Sequence, residues 1–172
     1  MEKLNIAFIG LGVMGYPMAG HLAKQENINV AVYNRTEIKA QKWLEEYQGI
    51  CASTPKEAAS NADIVFVCVG NDDDLREVTL GNDGALHSMK AGSILVDHTT
   101  ASADIAKELS KKCYAVNVGF VDAPVSGGEA GAINGQLTVM CGGKQVDYDK
   151  AESVMQSYSR FSKFLGDVGS GQ

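Results

Sequence analysis

Leu4-Asn5-Ile6-Ala7-Phe8-Ile9-Gly10-Leu11-Gly12-Val13-Met14-Gly15 is the stretch that decides the fold of this 172-residue chain. The apolar run Leu4 to Ile9 reads as a strand, and an apolar-periodic segment from about Val13 to Lys24 reads as a helix. Between them stands GxGxxG. Gly10 permits a tight turn, Gly12 lets the backbone approach a pyrophosphate with no Cβ in the way, and Gly15 lets the helix pack closely on the strand. The free N–H groups of the helix start would face the phosphates. The motif and its position predict a dinucleotide site over Gly10, Leu11, Gly12, Val13, Met14 and Gly15, with a plain glycine turn as the alternative.

Outward from this turn the hydrophobic period alternates between two and 3.6 residues, which predicts an α/β fold: a Rossmann-type, doubly wound, mainly parallel sheet. Further strands are expected at Asn29–Tyr33, Ile64–Val69, Ser93–Val96, Phe120–Asp122, Leu137–Cys141 and Phe161–Leu165. Helices are expected at about Ile38–Tyr47, from Thr54-Pro55, within Asn71–Leu80, and over Asp104–Lys112 and Asp147–Ser157. The near-continuous apolar run Ile64 to Val69 suits a central strand buried on both faces. Trp43 falls on the apolar stripe of the second helix and reads as packing. Asp72, Asp73 and Asp74 read as complements to the positive end of a helix dipole, in a capping role.

In such a sheet, ligands bind beyond the carboxyl ends of the strands. An acidic residue at the end of the second strand would favour NAD, but Asn34-Arg35-Thr36 stands there. Arg35 can pair with a 2′-phosphate and Thr36 can donate a hydroxyl, so NADP is expected, with NAD still possible. The alternative is that Arg35 is a solvated turn residue. Val69-Gly70-Asn71 and Asp97-His98-Thr99-Thr100 end two further strands and should flank the nicotinamide, with Thr100 as the cofactor contact. His98 has no identified partner and reads as a structural or surface residue rather than as a general base. Ser126-Gly127-Gly128, after Asp122-Ala123-Pro124-Val125, offers a hydroxyl and successive N–H groups. That is either a cradle for a substrate carboxylate or a turn shaped by packing.

Composition excludes other classes. A hydrophobic content of 45% over this length supports one sizeable core. The net charge of −6 lacks the basic face that a phosphate backbone needs, so no nucleic acid partner is expected. No CxxC or HxxxH spacing suggests a metal, and Cys51, Cys68, Cys113 and Cys141 read as reduced thiols of a cytoplasmic protein. The longest apolar run is far short of the ~20 residues that cross a bilayer, and no signal peptide is expected. None of Tyr16, Tyr33, Tyr47, Tyr114, Tyr148 and Tyr158 has a lysine four residues on, which excludes the YxxxK chemistry of short-chain dehydrogenases.

FIGLGVMGYPMAGHL, VYNRT, DHTT, DAPVSGGEAGAINGQLTVMCGG and LGDVGSGQ together make the chain resemble the N-terminal domain of the β-hydroxyacid dehydrogenase family, which includes 3-hydroxyisobutyrate dehydrogenase and tartronate semialdehyde reductase. The resemblance covers essentially the whole chain. It implies that Gly10, Gly12 and Gly15 hold the pyrophosphate, Asn34, Arg35 and Thr36 the adenosine end, and Val69, Gly70 and Thr100 the nicotinamide side. Ser126, Gly127 and Gly128 would hold the carboxylate of a small 3-hydroxy acid or its semialdehyde. In the family a lysine a few residues after the GSGQ-like segment exchanges the hydroxyl proton, and an all-helical C-terminal domain closes the cleft and forms most of the dimer contact. Both are expected to lie beyond Gln172, so residues 1–165 would form the NAD(P)-binding domain and 166–172 the start of the connection. A chain of this extent is expected to be a truncated form with little or no turnover, the full-length form being a homo-oligomer. Lys144 does not match the family position. A non-catalytic NADP-binding module, a 6-phosphogluconate dehydrogenase-like enzyme and an imine reductase-like enzyme remain as alternatives.

Overall fold

The computed structural model describes residues 3–172. Its first half repeats one unit of strand, helix, strand. β1 (Leu4–Ile9), α1 (Gly15–Ala23), β2 (Ile28–Tyr33), α2 (Glu37–Glu46), β3 (Ile50–Cys51), α3 (Pro55–Ala59) and β4 (Ile64–Val67) follow one another. α4 (Asp72–Leu80), a single 3-10 turn at Ala85–His87, β5 (Ile94–Asp97), α5 (Ala103–Ala115) and β6 (Gly119–Asp122) continue the pattern. The chain then changes character through β7 (Val125–Ser126), α6 (Gly128–Ile133), β8 (Leu137–Gly143), α7 (Gln145–Met155) and β9 (Ser159–Gly166).

The strands β3-β2-β1-β4-β5-β6 lie side by side in that order, and every pairing among them is parallel. The connection reverses direction between β1 and β4, which is the topological switch point of a doubly wound sheet. β8 runs antiparallel to β6 and β7, and β9 pairs with β8 in parallel.

Alternation within each central strand sends side chains to two separate cores. Ile6, Phe8, Ile64 and Phe66 pack with Met18, Leu22, Trp43 and Tyr158 on one face. Ala7, Ile9, Val65 and Val67 pack with Leu75, Ile105, Leu109 and Phe120 on the other. The expected Rossmann-type sheet is therefore present, and Trp43 is fully buried packing.

Boundaries differ from the sequence reading at informative places. α1 begins at Gly15, two residues later than expected, because the glycine turn itself extends through Met14. β4 ends at Val67, so Cys68 and Val69 belong to the loop above it. β3 and β7 are two residues each, too short for periodicity to reveal, and α6 hides in Gly-Glu-Ala-Gly-Ala-Ile, where two glycines suppress the helical signal. Asn71 rather than the following aspartates caps α4, its side chain accepting from the Asp74 N–H at 2.8 Å. All four cysteines are free thiols; Cys113 and Cys141 are buried, while Cys51 and Cys68 are only partly so.

Candidate functional site

A cleft of about 620 Å³ opens above the switch point. Gly10, Gly12, Val13, Met14 and Gly15 form one wall, Asn34, Arg35 and Thr36 a second, and Val69 and Gly70 a third. The three glycines of the turn have different reasons to be glycine. Gly10 has φ +102°, and a Cβ there would overlap the Cys68 carbonyl. A Cβ on Gly15 would overlap the Gly10 carbonyl, so α1 sits directly on the turn. A Cβ on Gly12 would meet nothing within 4 Å, and Gly12 lines the cleft. The first turn of α1 has no side-chain cap, which leaves its positive dipole end facing the same space. These features fit a dinucleotide pyrophosphate. Leu11 is fully buried beneath the turn.

The turn is tied to the end of β2. Asn34 Oδ1 accepts from the Leu11 N–H at 2.9 Å and its Nδ2 donates to the Thr36 carbonyl at 3.0 Å, so this side chain braces the turn rather than projecting from it. Arg35 is 85% exposed and lies 3.6 Å from Asp74 Oδ1 at the start of α4. Ser53, Thr54 and Pro55, together with Asp74, Glu77 and Asp83, complete the far wall, and sequence reasoning had assigned none of these to the site. Only Thr54-Pro55, as a helix start, carried any signal for it.

Thr100 lies in a shallow recess next to this cleft, which it shares with Gly70, Asn71 and Ser102. Its loop is held from several sides. Asp97 Oδ1 accepts from the Thr99 N–H at 2.9 Å, Thr99 Oγ1 accepts from the Val69 N–H at 3.1 Å, and Gln172 Nε2 donates to the Thr99 carbonyl at 2.9 Å. Ser126, Gly127 and Gly128 are exposed at the β7–α6 junction and line neither cavity. Gly127 and Gly128 have φ of +132° and +65°, backbone that favours glycine.

His98 is spoken for and buried, so of the structural and surface roles expected for it the structural one holds. Its Nδ1 donates to the Ala123 carbonyl at 2.6 Å and its Nε2 accepts from the Tyr158 hydroxyl at 2.6 Å. Burial pushes its pKa down to about 4. Asp97 is the group sequence reasoning passed over. It is fully buried, its Oδ2 has no hydrogen-bond partner, and its register partner across the sheet is Asp122. Burial, with the neighbouring carboxylate of Asp122 adding to it, pushes its pKa up to about 7 against the opposing bonds from Thr99.

A sequence profile described as the NAD-binding domain of 6-phosphogluconate dehydrogenase matches residues 5–166. The chain belongs to this family of NAD-binding domains. An uncharacterized oxidoreductase of Shewanella frigidimarina is 60% identical over 168 residues, covering 98% of this chain and 57% of that protein. A probable 3-hydroxyisobutyrate dehydrogenase-like mitochondrial protein of Arabidopsis thaliana is 38% identical over 99% of this chain and 56% of its own length. The structure of Mycobacterium tuberculosis 3-hydroxyisobutyrate dehydrogenase with L-serine superposes with a TM-score of 0.90 at 26% identity, covering 98% of this chain and 56% of that one. The resemblance to β-hydroxyacid dehydrogenases read from the motifs thus agrees with these relatives, and this NAD-binding domain spans little more than half the length of each. Among its described residues no helix is long and apolar enough to cross a membrane.

Proposed function

We propose that this chain is the cofactor-binding part of an NADP-dependent dehydrogenase that interconverts a small 3-hydroxy acid and its semialdehyde. The observation that carries the reading is the glycine turn at the switch point, with Gly12 lining the cleft in open space and Gly10 and Gly15 packed solid against backbone carbonyls. In this reading the turn and the start of α1 hold the pyrophosphate, and Val69, Gly70 and Thr100 flank the nicotinamide. The nicotinamide, when bound, accepts or supplies the hydride. Ser126, Gly127 and Gly128 take the substrate carboxylate on a hydroxyl and backbone N–H groups. His98 does not serve as the base, because both ring nitrogens are engaged and burial disfavours its protonation. In the family the hydroxyl proton passes to a lysine that follows the GSGQ-like segment, so residues 1–165 form the cofactor domain and the 166–172 segment leads towards the proton-transfer residue and a helical domain that closes the cleft. L-serine, present with the mycobacterial relative, is itself a small 3-hydroxy acid, which supports that substrate class.

NADP is preferred over NAD in this reading because Arg35 is the only cationic side chain among the described residues lining the cleft. A 2′-phosphate would draw it from its long, exposed contact with Asp74, an exchange that costs little since exposed pairs are worth about 0–1 kcal/mol. Calorimetric titration with NADPH and NADH tests both levels of the proposal. NADPH should bind more tightly than NADH, and Arg35→Asp should abolish the difference by weakening NADPH about tenfold or more, the loss of one charge-assisted phosphate contact. An unchanged NADPH affinity in that variant would sink the cofactor choice, and absence of binding to either would sink the dinucleotide site.

A further inference from the structure

Asp122 closes β6 with its side chain fully buried, and it spends both carboxylate oxygens on a single distant segment. Oδ1 accepts from the Gly169 N–H at 2.7 Å and Oδ2 from the Gly171 N–H at 2.9 Å. The segment is shaped for this grip. Gly169 has φ +92°, and a Cβ on Gly171 would come within 2.8 Å of both Oδ2 and the backbone carbonyl of Asp122. On the other side, a Cβ on Gly142 of β8 would stand 2.8 Å from Asp122 Oδ1 and from the Ser170 nitrogen. Nothing larger than glycine fits on either flank of the carboxylate.

The next residue passes the constraint on. Gln172 Oε1 accepts from the Ala101 N–H at 3.1 Å and its Nε2 donates to the Thr99 carbonyl at 2.9 Å, a two-point hold that brackets Thr100. Thr99 in turn accepts from the Val69 N–H through Oγ1. One continuous set of hydrogen bonds therefore runs from Asp122 on β6, through Gly169–Gln172, to the loop above β5 and on to the loop above β4. None of these bonds involves the glycine turn or Asn34-Arg35-Thr36 at the far end of the cleft.

We propose that Asp122 is a positioning residue: its grip on Gly169 and Gly171, relayed by Gln172, sets Thr100 against Val69 and Gly70 and so tunes affinity for the nicotinamide end of the cofactor without acting on the adenosine end. The proposal rests on the dinucleotide reading above. Asp122→Asn replaces one acceptor oxygen by an N–H that faces a backbone N–H, breaking one of the two bonds to a fully buried side chain. Gln172→Ala removes the relay and leaves the buried carboxylate intact.

The decisive experiment compares NADPH with 2′-phospho-ADP-ribose, which keeps both riboses and every phosphate but lacks the nicotinamide ring, on the parent chain and on both variants. Each variant is expected to lose about tenfold in affinity for NADPH, the scale of the one hydrogen bond broken in Asp122→Asn or the two part-buried ones removed in Gln172→Ala, and to keep its affinity for the ring-free ligand within about twofold. Equal loss for the two ligands would show a general loosening of the fold and overturn the proposal, as would unchanged NADPH binding in a folded variant. Should Asp122→Asn fail to fold by circular dichroism, Gln172→Ala decides alone. A parent chain that prefers NADH moves the comparison to NADH and ADP-ribose; one that binds no dinucleotide removes the reading on which the proposal stands, a result distinct from failure in the variants.

Discussion

Asp97 and His98 are consecutive, both buried, and burial drives each towards its neutral form, which moves their pKa values in opposite directions. Asp97 is raised to about 7, so the folded state binds the extra proton between the ordinary carboxylate value and 7, and stability contributed by the neutral acid is lost as pH rises through that window. His98 is lowered to about 4, so the unfolded state binds the extra proton between 4 and the ordinary imidazole value, and stability is lost as pH falls through that window. The two slopes offset each other over most of the acidic range. Asp97→Asn removes one of them. Relative to the parent, this variant should gain stability as pH rises from 4 to 7, by up to about 1.4 kcal/mol per pH unit, and the gain should level off above 7. Urea unfolding of both proteins across pH 4.5–8 measures it; parallel stability curves would show that Asp97 does not hold a proton in the folded chain.

The turn from β1 into α1 separates stability from binding, element by element. At Gly10 an alanine meets both an unfavourable φ and the Cys68 carbonyl, so Gly10→Ala should destabilise the chain by roughly 1–3 kcal/mol. At Gly12 the added methyl meets open space, so Gly12→Ala should leave the unfolding midpoint nearly unchanged and lower dinucleotide affinity by about tenfold or more. Thermal melts and calorimetric titration of the two variants give a crossed pattern. Were Gly12→Ala to bind the dinucleotide like the parent, the pyrophosphate would have to lie elsewhere. Nearby elements show how little local sequence says about such packing: α2 presents Trp43 and Ala40 inward, yet the apolar Ile38, at which that helix was expected to begin, is 72% exposed.

For the molecule as a whole, the cofactor is expected to stabilise by mass action, because the cleft draws together the loops above β1, β2 and β4, which exist as a unit only in the folded chain. At a free NADPH concentration of 100 times Kd the gain is about 2.7 kcal/mol, which for a domain of this size raises Tm by roughly 5–10 °C. A thermal shift series with NADPH should therefore climb with the logarithm of concentration, and a Tm that stays flat at saturating NADPH would rule the binding out. The two cores on opposite faces of the sheet are joined by the central strands, whose side chains alternate between them. Ligand bound at the switch point sits directly above those strands and should stabilise both cores together, as a single transition.

Local patterns alone determined the strand–turn–helix at Leu4 to Ala23, the buried run of β4 and the doubly wound order that the alternating periods imply. The first two depend on interactions within a dozen residues, hydrophobic period, glycine spacing and the need to bury an apolar run; the third follows from the alternation of such local periods along the chain. The same local logic set His98 aside as a general base, and marked Asn34-Arg35-Thr36 as the end of β2. Tertiary structure alone decided that Asn34 would turn back to brace the glycine turn, that Arg35 would lean on Asp74, and that Asp122 would hold Gly169 and Gly171, 47 and 49 residues away. It alone left Asp97 Oδ2 without a partner. A carboxylate's partners and its protonation follow from which distant backbone N–H groups reach it and how much water remains around it, quantities that exist only once β4, β5 and β6 lie side by side.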